Sequence, residues 1–82
     1  MNSMIRITEI TRNGDSLSCK AFVENSEEAV TITIDPEGEL IEEYVLPKDF
    51  SWCTEHIAHA IKYLKSLWNE PSVPREKLIM WY

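Results

Sequence analysis

Three residues able to bind a metal ion or to act as a nucleophile and base lie close together in FSWCTEHIAHAIKYLKSLW, residues 50–68. Cys53, His56 and His59 stand at positions i, i+3 and i+6. A thiolate and two imidazoles are ligands that zinc prefers, but a closed zinc site takes four ligands in a tetrahedron. On a helix these positions fan out over about 120°, too widely for one ion, and only Cys19 could supply a fourth ligand. We therefore expect no metal and no other cofactor.

Cys53 and His56 also have the composition of a nucleophile and its general base. The sequence around them contains no third group to orient the base, no glycine turn and no recognisable oxyanion site. Both cysteines fall at positions predicted to face the interior, where a thiol is unreactive. The chain has two glycines, Gly14 and Gly38, and both lie in predicted turns, which argues against a phosphate-binding loop. We predict that the protein is not an enzyme.

A helix over this stretch would also align Trp52, His56, His59 and Tyr63 along one side, at i, i+4, i+7 and i+11. Two interpretations remain open. In the first, these amphipathic rings cover the seam where the helix meets the sheet or the end of the chain. In the second, they form a strip that contacts a partner, and the two histidines make binding respond to pH at about pH 6.

Strands are predicted on the N-terminal side of this helix. Met4–Arg12 is rich in β-branched residues, and Ile10 breaks its alternation in the manner of a β-bulge. Leu17–Glu24 alternates cleanly, with Leu17, Cys19, Ala21 and Val23 on one face. Ala29–Asp35 has the strongest strand pattern, and Leu40–Leu46 is predicted as the fourth strand after a turn at Asp35-Pro36-Glu37-Gly38.

After Pro47 the hydrophobic period changes to that of a helix. The apolar stripe runs from Cys53 to Trp68, and Pro71 ends a predicted helix of about 18 residues. Lys77–Tyr82 has strand propensity and is predicted to be an edge strand beside the first. The expected architecture is α+β: a four-stranded antiparallel meander with one amphipathic helix on one face and a short C-terminal strand (ββββαβ), in a single domain over residues 1–82.

One helix covers one face of such a sheet, so the opposite face should be left open. Phe22 and Tyr44 are predicted to lie on that open face, and Trp81 and Tyr82 either extend the aromatic group or cover it. A contiguous apolar group ringed by charge is typical of an interaction site. The complete set of predicted partner-binding residues is Phe22, Tyr44, Trp52, His56, His59, Tyr63, Trp81 and Tyr82.

The net charge of −6 is concentrated in the middle of the chain. Residues 21–47 contain eight acids and no lysine or arginine, whereas the segments before and after each sum to +1. An acidic surface repels phosphate backbones, so we expect no direct nucleic-acid binding. We also expect no membrane span, no signal peptide and a cytoplasmic location. The predicted acidic surface consists of Glu24, Glu27, Glu28, Glu37, Glu39, Glu42 and Glu43.

These features favour two functions. The first is a small soluble, non-catalytic protein-binding module that acts through the aromatic and acidic sheet face, as a monomer or as a homodimer joined by sheet face or edge. The second is an inhibitor that presents residues 24–43 as a mimic of nucleic-acid charge to a nucleic-acid-binding protein. Sensitivity to salt separates the two, because a complex held by charge weakens as salt is added.

Overall fold

The computed structural model describes residues 3–82 and contains one antiparallel sheet of four strands. These are β1 (Ser3–Asn13), β2 (Ser16–Val23), β3 (Val30–Ile34) and β4 (Lys77–Trp81), in the order β3-β2-β1-β4. The α+β class, the antiparallel arrangement and the C-terminal strand beside β1 are therefore confirmed.

The alternation of the N-terminal strands places their apolar residues on the same face of the sheet. Leu17, Cys19, Ala21 and Val23 are buried, as predicted, and so are the three apolar residues of β3. In β1 the pairing with β2 shifts between Thr8 and Thr11. Glu9 has a φ of 52° there, which confirms the bulge predicted from the broken alternation at Ile10.

One helix, α1 (Thr54–Ser66), packs on this apolar face and is followed by a 3₁₀ turn over Leu67–Asn69. Its core-facing residues follow the predicted stripe, since Cys53, Ile57, Ala60 and Leu64 are all buried. The helix has 13 residues and is shorter than predicted, because the residues from Leu67 onward tighten into the 3₁₀ turn. Within residues 3–82, no helix has both the length and the apolar composition required to cross a bilayer.

Arg12, near the end of β1, fastens the C-terminal end of α1 to the sheet. Its guanidinium donates hydrogen bonds to the carbonyls of Leu67 and Glu70 and lies 5.8 Å from the centre of the Trp68 ring. Carbonyls at a helix C-terminus have no partner inside the helix, and a cation there is favourable. This contact fixes one end of α1 relative to β1.

The fourth predicted strand, over Leu40–Leu46, does not form. The turn before it is present, since the Gly38 N–H donates to the Asp35 carbonyl at 2.9 Å and Gly38 has a φ of 85°. Beyond the turn, one bridge between Ile34 and Leu40 is followed by irregular chain. The apolar residues of this segment do not all lie on one face, and Ile41 and Val45 are exposed. The segment therefore lacks the one-sided burial that stabilises a strand.

Candidate functional site

His56 is buried at the first turn of α1 and is paired with Glu24, the first residue of the turn that follows β2. Its Nε2 lies 2.6 Å from Oε2 of Glu24, and the His56 residue is 3% exposed. The sequence pattern predicted His56 on the flank of the helix, either covering the seam with the sheet or chain end or facing a partner. A carboxylate from another element pairs with Nε2 of the buried ring, whereas Nδ1 has no hydrogen-bond partner among the described residues. The partner of Nε2 is 32 positions away, which helical spacing cannot reveal.

Glu24 has a left-handed backbone conformation, and its carboxylate makes a second hydrogen bond. Its φ is 48°, and its carboxylate also accepts from the N–H of Met4 at 3.0 Å. The hydrogen bond from His56, reinforced by the one from Met4, lowers the pKa of Glu24. Because an ionised carboxylate only accepts, Nε2 of His56 carries the proton in this pair. The pair links the end of β2 and the start of β1 to the N-terminal end of α1.

The two thiols lie in the core. Cys53 and Cys19 are buried and free. Burial raises the pKa of the Cys19 thiol to about 12. Burial also raises the pKa of the Cys53 thiol, with a further contribution from the charge of Glu24. Among residues 3–82, no three His, Cys, Asp or Glu side chains are placed to hold a metal ion together.

Four aromatic rings form a continuous cluster between α1 and the end of β4. The indole of Trp81 stacks on the His59 ring, with centroids 3.9 Å apart and planes 28° apart. The same indole lies edge-to-face with the His56 ring, with centroids 4.8 Å apart, and the Trp52 ring makes a second edge-to-face contact with His56, with centroids 5.5 Å apart. Three rings of the predicted strip, those of Trp52, His56 and His59, belong to this cluster, whereas the fourth, Tyr63, lines the groove between α1 and β4. The cluster holds β4 against α1.

The outer edge of β4 carries backbone groups that point away from the sheet. The N–H of Glu24 donates to the carbonyl of Met4, so the backbone N–H and C=O of Met4 face β2. Those of the next residue, Ile5, therefore face β4. Ile5 pairs with Ile79, so the backbone groups of Ile79 face β1. Because these groups alternate along a strand, the N–H and C=O of Leu78 and Met80 face outward.

The opposite edge of the sheet is covered by the chain itself. On β3, the outward-facing carbonyl of Thr33 accepts the N–H of Ile41 at 2.9 Å, and the Asp35 N–H donates to the carbonyl of Glu39. The carboxylate of Asp35 fixes this segment by accepting the N–H groups of Glu37 and Glu39. The two sheet edges therefore differ, since β3 is partly covered by an acidic segment and β4 has no corresponding segment within residues 3–82.

A groove of about 440 Å³ runs between α1 and β4. One wall consists of His59, Lys62, Tyr63 and Ser66 from α1, and the other is the strand from Lys77 to Met80. The Lys77 ammonium lies 5.7 Å from the centre of the Tyr63 ring and narrows the groove at one end. Burial, together with the charge of Glu70, raises the pKa of Tyr63.

The open face of the sheet is apolar beside β4. Leu78 and Met80 are 51% and 57% exposed, and they pair across the strands with Arg6 and Met4. Phe22 lies on this face as predicted, but the Arg6 guanidinium sits 4.9 Å from the centre of its ring and covers part of it. The exposed apolar surface is therefore aliphatic and lies at the sheet edge.

The other predicted binding residues occupy several different places. Tyr44 was predicted on the open face with Phe22 but packs against the core on the helix side, because the strand that would have turned it outward does not form. Trp52 and Tyr82 are exposed, at 64% and 96%, and Tyr63 is half-buried in the groove. Phe22 and Tyr44 are thus not one patch.

The acidic surface is present without Glu24, which is half-buried against His56. Its remaining members are exposed, and none of them forms an ion pair within the described part of the chain; they are Glu27, Glu28, Glu37, Glu39, Glu42 and Glu43.

Leu78 and Met80 are not among the binding residues predicted from the sequence, although Lys77–Tyr82 has strand propensity. Alternation within the strand was the available signal, since it separates Ile79 and Trp81, which face α1, from Leu78 and Met80. Compared with known proteins, the chain matches no family model, no curated protein and no solved structure.

Proposed function

We propose that this protein is a non-catalytic protein-binding module that binds an extended segment of a partner along the outer edge of β4. The observation that supports the proposal is the difference between the two sheet edges. β3 is partly covered by the segment that follows it, whereas β4 presents the N–H and C=O groups of Leu78 and Met80. Proteins ordinarily blunt such edges with charge, proline or a covering segment, and an open edge pairs readily with an added strand.

The side chains around β4 suit strand addition. Leu78 and Met80 provide exposed apolar contacts on the open face. On the other face, the groove beside α1 would receive alternate side chains of an added strand, with Lys62 and Tyr63 along its wall. Strand addition obtains affinity from main-chain hydrogen bonds and specificity from pockets of this kind. The proposal places the protein in the cytoplasm, where free thiols are stable.

The test is capture of partners with two proline variants. Met80→Pro removes an N–H on the outer edge of β4 and leaves the bonds between β4 and β1 in place. Thr31→Pro makes the same change on the outer side of β3 and serves as the matched control. A partner bound by the wild type and Thr31→Pro, and lost with Met80→Pro, supports the proposal. Partners captured equally by all three proteins would contradict it.

The acidic surface favours a second candidate function, the mimicry of nucleic-acid charge. Six exposed glutamates lie in residues 27–43 without an ion pair inside the described chain, so their charge is available to a basic partner. Such a complex should be lost at about 0.5 M salt, where the screening length is a few ångströms. It should also be lost when the glutamates are replaced by glutamine, and it should be unaffected by Met80→Pro.

A further inference from the structure

We infer that the strand that adds to β4 is β4 of a second copy of this chain, antiparallel and related by a two-fold axis through Ile79. The inference rests on the proposed use of the β4 edge and names its occupant. The result would be a continuous eight-stranded sheet in which both helices lie on the same face. A two-fold arrangement uses the same edge on both copies and is closed.

The backbone of β4 is self-complementary in this register. The outward-facing groups belong to Leu78 and Met80, two positions apart with Ile79 between them. When two such strands meet antiparallel about Ile79, each Leu78 lies opposite the Met80 of the second copy, and the N–H and C=O groups of both residues pair. The two Ile79 residues then face each other at a position without hydrogen bonds. All outward-facing groups of the central three residues are thereby satisfied.

The proposed register also brings apolar side chains together on both faces of the sheet. On the open face, each exposed Leu78 would pack beside a Met80, which removes apolar surface from water. On the helix face, the half-buried Ile79 residues would meet at the two-fold axis. The groove wall of α1 that carries Lys62 and Tyr63 would then stand over the second copy's strand.

Charge opposes pairing less at this edge than at the edge of β3. The acidic segment that follows β3 lies at the other end of the sheet, so pairing through β4 keeps the two acidic segments far apart. In the proposed register each Lys77 lies opposite a Trp81, and the two Lys77 positions are about 13 Å apart along the strands. That separation exceeds the Debye length of about 8 Å at physiological salt, so their repulsion is largely screened.

Association should stop at two copies. The edge that remains on each copy is that of β3, where Thr33 already pairs with Ile41 and the neighbouring residues are acidic. Five residues of strand and one groove make a small interface, below the roughly 800 Å² per partner of stable complexes. The dimer should therefore be weak and should dissociate on dilution.

Sedimentation equilibrium between low-micromolar and submillimolar protein tests the inference. A monomer–dimer equilibrium is expected, weakened at least about tenfold by Met80→Pro through the loss of backbone hydrogen bonds, and unchanged within about twofold by Thr31→Pro. Near-ultraviolet circular dichroism verifies that both variants remain folded. A dimer that is indifferent to Met80→Pro would overturn the inference.

Ile79→Cys tests the register without a proline. Cα atoms of residues opposed at a position without hydrogen bonds lie about 4.5 Å apart, within the range of a disulfide. Mild oxidation should give a covalent dimer with Ile79→Cys and none with Thr31→Cys. Absence of cross-linking in a sample that sediments as a dimer would overturn the two-fold axis at Ile79.

The inference and the proposed function can fail separately. A protein that stays monomeric at all concentrations, but captures another protein in a manner abolished by Met80→Pro, would overturn the dimer and support the use of the edge. A monomeric protein whose captured partners are indifferent to Met80→Pro would overturn both.

Discussion

Glu24 and His56 lie 32 positions apart in the chain and share a 2.6 Å hydrogen bond between Oε2 and Nε2. The imidazole of His56 in turn makes an edge-to-face contact with the Trp81 indole, with ring centroids 4.8 Å apart. A carboxylate at the end of β2 therefore helps to position the strand at the edge of the sheet. The stability of the β4 edge should depend on this chain of contacts.

Glu24→Gln should destabilise the protein at neutral pH by about 1–2 kcal/mol, because it replaces a charge-assisted hydrogen bond to a buried group. The pKa of Glu24 is lowered by folding. A carboxyl group of this kind stabilises the fold above its unfolded pKa, about 4.3, and loses that contribution as the pH falls through its folded pKa. The difference in unfolding free energy between wild type and Glu24→Gln should therefore shrink between pH 7 and pH 3.

Urea unfolding at both pH values measures this difference, and Glu27→Gln is the control. Glu27 is exposed, and its substitution should change the unfolding free energy by less than about 0.5 kcal/mol. Equal losses for the two variants at neutral pH would mean that the contact with His56 contributes nothing.

Trp81→Ala should loosen β4 selectively. The indole joins His59 and His56 to the end of the strand, so its removal takes away the packing between β4 and α1. Amide exchange at Ile79 should accelerate at least about tenfold, while exchange in β2 changes less. Trp52→Ala is the control of the same size, since Trp52 is 64% exposed and touches only one side of the cluster. Equal acceleration of Ile79 in both variants would contradict this role for Trp81.

Neither thiol should react in the folded protein. Cys19 and Cys53 are buried, and burial raises the pKa of both thiols. A chromogenic disulfide reagent at pH 8 should therefore label no thiol at once, and two after denaturation. Slow labelling should follow the rate at which the fold opens. Immediate labelling of one thiol in the native protein would contradict this prediction and would indicate a reactive cysteine.

Glu9→Gly should stabilise the bulge in β1 by about 0.5 kcal/mol. Glu9 has a φ of 52°, a conformation that costs a non-glycine residue about 1 kcal/mol or more. Glycine adopts this conformation freely, but part of the gain is lost because glycine also raises the entropy of the unfolded chain. Thr8→Gly, one residue earlier in regular strand, should instead destabilise the protein by up to about 1 kcal/mol. Thermal unfolding of the two variants shows whether each substitution raises or lowers the stability of the protein. Destabilisation by both would show that the bulge is not strained.

The sequence predicted those elements in which local pattern and packing agree. β2 and β3 alternate because one face is buried, and the stripe from Cys53 to Leu64 has the helical period for the same reason. Leu40–Leu46 failed as a strand because its apolar residues do not share one face: Ile41 and Val45 are exposed, while Leu46 packs against the core. Strand propensity without one-sided burial does not specify a strand.

The candidate site was less predictable because it depends on contacts between distant positions. The spacing of His56 on the helix gives no indication of Glu24 or of Trp81, which both contact the buried imidazole. The C-terminal strand was placed correctly beside β1. Which of its residues carry the open edge depends on the register between Ile5 and Ile79, and composition does not contain that information.

Amide hydrogen exchange at Leu78, Ile79 and Met80 tests the central claim, that the outer edge of β4 is the binding surface, most directly. In dilute protein we expect slow exchange at Ile79, whose N–H faces β1, and fast exchange at Leu78 and Met80. At high protein concentration, or with a bound partner, Leu78 and Met80 should become protected together. Fast exchange at both residues in every associated state would contradict the account.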